Sequence, residues 1–230
     1  MVDKISYARK KELEHPDPFL EFLHKALEHV KYYKKQLIYM LCGVLTVVLI
    51  FIGTVYSIKS AEKNSSDILA RTLSKYRDKK SGERYDFIKD DFIMLLNKYP
   101  RTSVAKIARL KFAEICYQTS NFDKAYEMYL AGLKDFKDNL LLKNFMLVCL
   151  GNTCQAQKKN EKAEEYFKQV INAKNSFLKD EALFNLGMMA KNKDISKKFF
   201  GKIISDYGNS LYKPMVIDKI KDYDGTLKKS

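Results

Sequence analysis

The stretch NKYPRTSVAKIARLKFAEI, residues 97–115, sets a Tyr-Pro break before a run in which Val104, Ala108, Phe112 and Ile115 are spaced by four, four and three. Apolar residues at that spacing line one face of an α-helix. The surrounding sequence decides whether this helix belongs to a one-off bundle or to a repeating array. An aromatic residue recurs at Phe92, Tyr129, Phe167 and Phe200, at separations of 37, 38 and 33 residues. Each is followed by a packing pair: Leu95 and Leu96, Gly132 and Leu133, Val170 and Ile171, Ile203 and Ile204. Helix ends then recur as YPRTS at Tyr99, FKDN at Phe136 and YGNS at Tyr207, with KNSF at Lys174 the weakest of the four. A period of this length marks a helical repeat.

The partner helices repeat as well. LKFAEIC, LVCLGNTC and LFNLGMMA each place a large apolar residue before a small one, as Phe112-Ala113, Leu150-Gly151 and Leu186-Gly187. Ala125 and Ala163 stand four residues ahead of Tyr129 and Phe167. Small residues let two helices of a hairpin cross closely, and the aromatic is expected to fill the gap against the next hairpin. This pattern resembles the tetratricopeptide repeat. The resemblance implies an all-α fold, a solenoid of about three helical hairpins within residues 84–230. It is best over residues 102–175 and fair over 180–207. Residues 84–100 look like a second helix without its first, and 212–223 like a terminal cap. The third unit departs from the pattern, because AKNKDIS is a short connection and Ser196 stands where alanine is usual.

Composition agrees with a helical domain carrying an anchor. The chain has 230 residues, 46% of them apolar, with only 4 Pro and 9 Gly, so it can bury a core and is not of low complexity. Lys and Arg outnumber Asp and Glu by 42 to 28. These charges alternate along helical segments instead of forming blocks, which marks solvated faces and argues against a nucleic-acid partner.

Residues 37–58, LIYMLCGVLTVVLIFIGTVYSI, hold no charge. At about 1.5 Å per residue they are long enough to cross a hydrocarbon core about 30 Å thick. The run is too long for a signal-peptide core, and no small-x-small cleavage site follows it, so it reads as a retained transmembrane helix. Cys42 follows YML, which lacks the small residues of a lipidation site, and reads as a thiol within the helix. Lys31, Lys34 and Lys35 before the run exceed Lys59 and Lys63 after it. The positive-inside rule then keeps residues 1–36 in the cytoplasm and exports the C-terminal domain.

In that first segment Asp17 and Pro18 open a predicted amphipathic helix, with Phe19, Phe22, Leu23, Ala26, Leu27 and Val30 on one face, suited to lipid or to a docking partner. Residues 59–83 read as a helical linker ending at a breaker, Ser81 and Gly82. Within the apolar run Gly43, Thr46, Ile50, Gly53 and Ser57 are spaced by three, four, three and four, a stripe of mostly small residues for packing on another membrane helix.

The chemistry expected of such a chain is binding and not catalysis. His15, His24 and His29 do not share a helical face, so no metal or cofactor is expected. No histidine follows His29, which leaves Cys116, Cys149 and Cys154 without an imidazole base, and no glycine-rich loop is present for a phosphate or other small-molecule substrate. Cys116 and Cys154 share a repeat position and read as core fillers. Three thiols sit poorly with an oxidising compartment. In a solenoid the inner face is lined by the first helix of each unit. Register from Phe112, Leu150 and Leu186 puts Leu110, Glu114 and Tyr117, then Val148, Asn152 and Gln155, then Phe184, Met188 and Lys191 on that face. Asn152 resembles part of a carboxylate clamp, but Val148 replaces the lysine such a clamp requires.

The layout as a whole, with LEHVKYYKKQLIYMLCGV at its membrane edge, is similar to the ancillary subunit of the bacterial Sec translocon. That resemblance implies a single-pass inner-membrane protein with a periplasmic repeat domain. Its partners would be translocon subunits, a membrane-anchored folding factor or client polypeptide. The other expectation from the same layout is a structural tether or scaffold for an envelope or cell-division assembly.

Overall fold

The computed structural model describes residues 18–77, 84–174 and 176–225. Among these there are ten helices and no strand: α1 (Pro18–Tyr32), α2 (Lys34–Arg77), α3 (Arg84–Lys98), α4 (Ser103–Gln118), α5 (Phe122–Asp135), α6 (Leu140–Ala156), α7 (Asn160–Asn172), α8 (Lys179–Met189), α9 (Lys193–Asp206) and α10 (Lys213–Gly225). Asp17, His15 and the expected breaker at Ser81 and Gly82 lie outside the described residues. The chain divides into two compact units, one up to Lys59 and one from Ser60.

In the first unit α1 is amphipathic as expected, and its apolar stripe of Phe19, Phe22, Leu23, Leu27 and Val30 is exposed. The apolar part of α2 is long and apolar enough to cross a membrane, by length and composition, and none of its side chains is buried within the protein. Two of its hydroxyls are satisfied inside the helix, those of Thr46 and Thr54 donating to the carbonyls of Cys42 and Phe51 at 2.8 Å. Such self-contained bonding is what a lipid environment demands.

From Ser60 the pattern of α2 changes. Ser65 and Thr72 are buried, and Ile68, Leu69, Leu73 and Tyr76 pack on a core built from Ile88, Phe92 and Phe112. The segment read from sequence as a helical linker is helical through Arg77 and in addition supplies a packing layer. The Glu62 carboxylate accepts hydrogen bonds from the backbone N–H groups of Ser103 and Val104 at 2.6 and 3.3 Å, and so caps α4 from another helix. Near the other end of α4 the Tyr76 O–H donates to Gln118 Oε1 at 3.1 Å. The two contacts join residues 41 and 42 apart, so residues 62–76 run alongside α4 in the same direction.

Each helix from α3 to α10 packs on its neighbour in the chain, most broadly α4 on α5, α6 on α7 and α8 on α9. Three cores follow one another in sequence order: Ile88 to Leu150, Leu147 to Leu186, and Leu183 to Val216. Local signals start and stop these helices. Thr102, Asn139 and Asn192 cap α4, α6 and α9 by accepting from Ala105, Leu142 and Asp194 N–H groups. The α4–α5 and α6–α7 turns are built alike. Ser120 and Lys158 both adopt φ 60°, and the next residues, Asn121 and Lys159, donate back to the carbonyls of Cys116 and Cys154. This is a Schellman termination made without glycine.

Glycines explain how closely the hairpins cross. A Cβ on Gly151 would lie 2.6 Å from the Phe167 ring, and one on Gly187 would lie 2.3 Å from the Phe200 ring. Phe92 packs forward as expected, stacking on Phe112 of α4 with ring centroids 4.9 Å apart, but the Phe167 and Phe200 rings occupy gaps within their own helix pairs, a correction to the expectation that they face the next one. The reason is geometric, since the missing side chain leaves its hole on the face turned to the partner helix. Ser196, the departure in the third unit, is buried and donates to the Gly187 carbonyl at 2.7 Å. A hydroxyl is tolerated there because that bond satisfies it.

Candidate functional site: a polar strip across α4, α6 and α8

Helices α4, α6 and α8 place several predicted side chains together. Glu114 on α4 is half-exposed and accepts from Lys111 Nζ at 2.8 Å and Gln118 Nε2 at 3.1 Å. Tyr117, one turn on, is half-buried and packs edge-on against Phe122. On α6 the side chain of Asn152 lies near enough to the Glu181 carboxylate of α8 to favour its charged form. Between these lie Cys149 on α6 and Tyr129 on α5, whose side chains are close enough to shift each other's ionisation. Glu114 interacts electrostatically with both Tyr129 and Cys149, and Glu181 with Cys149, so the six groups form one patch.

Burial sets the charge states in this patch. It pushes the Cys149 thiol up to about 12, against the opposing pull of the nearby Tyr129 hydroxyl. The Cys116 thiol is likewise raised to about 12, and Cys154 is raised by the same cause. All three are therefore thiols at neutral pH, poor as nucleophiles. Burial also raises the Glu181 carboxyl, with the nearby Asn152 side chain opposing the shift. The strip can offer hydrogen bonds, one tunable carboxyl, aromatic edges and the exposed Met188, a mixture suited to a peptide or a helix.

Other predicted residues lie elsewhere. Val148 is only 3% exposed, inside the second core, and cannot line a groove. Leu110 is half-buried and fills the space beside Gly132 of α5. Phe184 is half-buried and stacks on Tyr212, in the turn before α10, with ring centroids 4.7 Å apart. Gln155 is half-exposed, near the end of α6. Lys191 stands apart from the strip, in the α8–α9 turn. Of the stripe in α2, Gly43, Thr46, Ile50, Gly53 and Ser57 are all exposed, and a Cβ on either glycine would meet no atom within 4 Å.

The residues that sequence register missed are Tyr129, Cys149 and Glu181. Stepping back from Met188 by three and then four residues reaches Asn185 and Glu181 on the same helical face, a signal that would have found the carboxylate. Among the described residues no group of three or more histidine, cysteine or carboxylate side chains is placed to hold a metal ion. Comparison with known proteins returns nothing: no family model, no curated protein and no solved structure matches this chain.

Proposed function

We propose that this protein is a membrane-anchored protein–protein interaction module, held by residues 37–58 and built as a tetratricopeptide-type solenoid. The parallel run of residues 62–76 beside α4 supports the solenoid, as does the 2.8 Å contact between the Tyr126 and Tyr166 hydroxyls, which joins α5 to α7 across 40 residues. The observation that carries the functional reading is the strip on α4, α6 and α8. Successive first helices present half-exposed polar and aromatic groups side by side, beside thiols that burial keeps protonated, and that favours binding over catalysis.

Within this reading the particular role is that of an accessory factor of the bacterial Sec translocon and its periplasmic chaperones, with residues 1–36 cytoplasmic. The support is the layout of a short amphipathic helix, an apolar helix and a helical domain. Burial of Cys116 and Cys154 lessens the objection that thiols pose to export. Photo-crosslinking in cells tests both levels. A crosslinker at Glu114, Asn152 or Met188 is expected to capture translocon subunits or a translocating client, while one at Lys202 is expected to capture neither. Capture of envelope-synthesis or cell-division proteins instead would favour the tether. Equal capture from Lys202 would defeat the assignment of the strip.

A further inference from the structure

A second surface lies apart from the strip and does not rest on it. We propose that the cleft between the α6–α7 and α8–α9 turns docks an acidic peptide segment with an apolar anchor, contributed by a partner protein. The cleft encloses about 800 Å³. Its base is the nearly buried Leu186 with the half-buried Met189 and Phe199, which pack on the second core, and the half-exposed Ile195 also lines it. Lys158, Lys159, Lys162 and Lys191 line it too and are exposed.

None of these four lysines is ion-paired among the described residues, whereas Lys111, Lys124 and Lys197 elsewhere in the domain each hold a carboxylate. Of the two acidic lining residues, Glu164 is paired with Lys168 at 2.6 Å, which leaves Glu161 alone against four ammonium groups. The surplus positive charge calls for an acidic occupant. The apolar base calls for an occupant with more than charge, since a bare anion would leave that surface uncovered.

The preceding hairpin lacks this chemistry although its turn has the same backbone. The residues 38 positions earlier are Ser120 and Asn121 in place of Lys158 and Lys159, and Lys124 in place of Lys162, the last already paired with Glu127. Lys158 also holds its rim position with φ 60°, a conformation that costs a lysine more than a glycine. The cationic rim is thus a property of this cleft and not of the repeat.

The test uses the full chain in phosphatidylcholine nanodiscs and fluorescence anisotropy of a labelled peptide, Asp-Glu-Leu-Phe-Asp-Glu. The acidic peptide is expected to bind, and Lys-Lys-Leu-Phe-Lys-Lys is not. Lys159→Glu with Lys191→Glu should weaken binding about tenfold, and Ile195→Ser should weaken it with no change in salt dependence. Lys158→Gly should raise the thermal midpoint while weakening the peptide about threefold, whereas Ser120→Gly should raise the midpoint and leave the peptide alone. This pairing separates binding from stability. The proposal is overturned if the acidic peptide fails to bind, if the charge-reversed protein binds it as well as the native one, or if phosphatidylglycerol vesicles are captured through these lysines while the peptide is ignored.

Discussion

Gly53 in α2 and Gly187 in α8 both interrupt apolar helical runs, yet their surroundings are opposite. Nothing lies within 4 Å of a Cβ built on Gly53, while one on Gly187 would fall 2.3 Å from the Phe200 ring. The same contrast holds for the large residues, since Phe51 is 67% exposed and Phe167 is fully buried. In residues 37–58 of α2 the large apolar side chains are exposed and find no packing partner within the protein. In the hairpins they are turned against each other, and the protein supplies its own apolar medium. Equal hydrophobicity therefore has two meanings, and packing partners distinguish them.

The largest effect that would break this contrast is loss of a buried ring. Phe167→Ala should destabilise the helical domain by about 4 kcal/mol, because it removes a large side chain and leaves a cavity beside Gly151. Phe51→Ala should leave the denaturation midpoint of that domain unchanged, as chemical denaturation followed by circular dichroism would register. Comparable losses from both would mean that residues 37–58 pack like a core helix.

Gly187→Ala should cost about 2 kcal/mol by overpacking against Phe200. Adding Phe200→Leu should recover part of that loss, and a double-mutant cycle measures the coupling. Additive losses would show that the ring is not the constraint. Ser120→Gly should act in the opposite direction and stabilise by about 1 kcal/mol, since φ 60° is costly for serine and free for glycine.

A smaller effect of pH is expected at Glu181. Its carboxyl is raised in the folded state by burial, so protonation favours the native protein. Stability contributed in this way is present below the ordinary value of 4.5 and is lost as pH rises through the raised value. Glu181→Gln keeps an acceptor near Asn152 without the charge, and should exceed the native protein in stability at neutral pH but match it below 4.5. A constant difference across pH would exclude this origin. Smallest of all, Gly43→Leu with Gly53→Leu should not alter the thermal midpoint of the helical domain. Weakened co-purification with a membrane partner, relative to Val48→Leu and Phe51→Leu, would give the stripe a role.

Much of the helical organisation was legible in the sequence because it rests on local patterns. The spacing of Val104, Ala108, Phe112 and Ile115 marks α4, the recurring large-small pairs mark close crossings, and an uncharged run marks the apolar part of α2. The strip was only partly legible. Glu114, Tyr117 and Asn152 followed from register, but Val148 and Cys149 are adjacent on α6, where buried residues occupy nearly every side: Asn144, Met146, Leu147, Val148, Leu150, Gly151, Thr153 and Cys154. A helix surrounded by neighbours carries little amphipathic signal, so periodicity could not tell which residue turns inward.

Sequence by itself determined the helices, their approximate ends, the apolar run and the residues small enough for close approach, because these depend on neighbours within a few positions. Tertiary structure alone decided that residues 62–76 lie beside α4 with Glu62 capping it, that Phe167 and Phe200 fill gaps within their own hairpins, and that Glu181 meets Asn152. It also decided which lysines stay unpaired around one cleft. Those outcomes depend on contacts between residues 13 to 41 positions apart, and only packing brings such residues together.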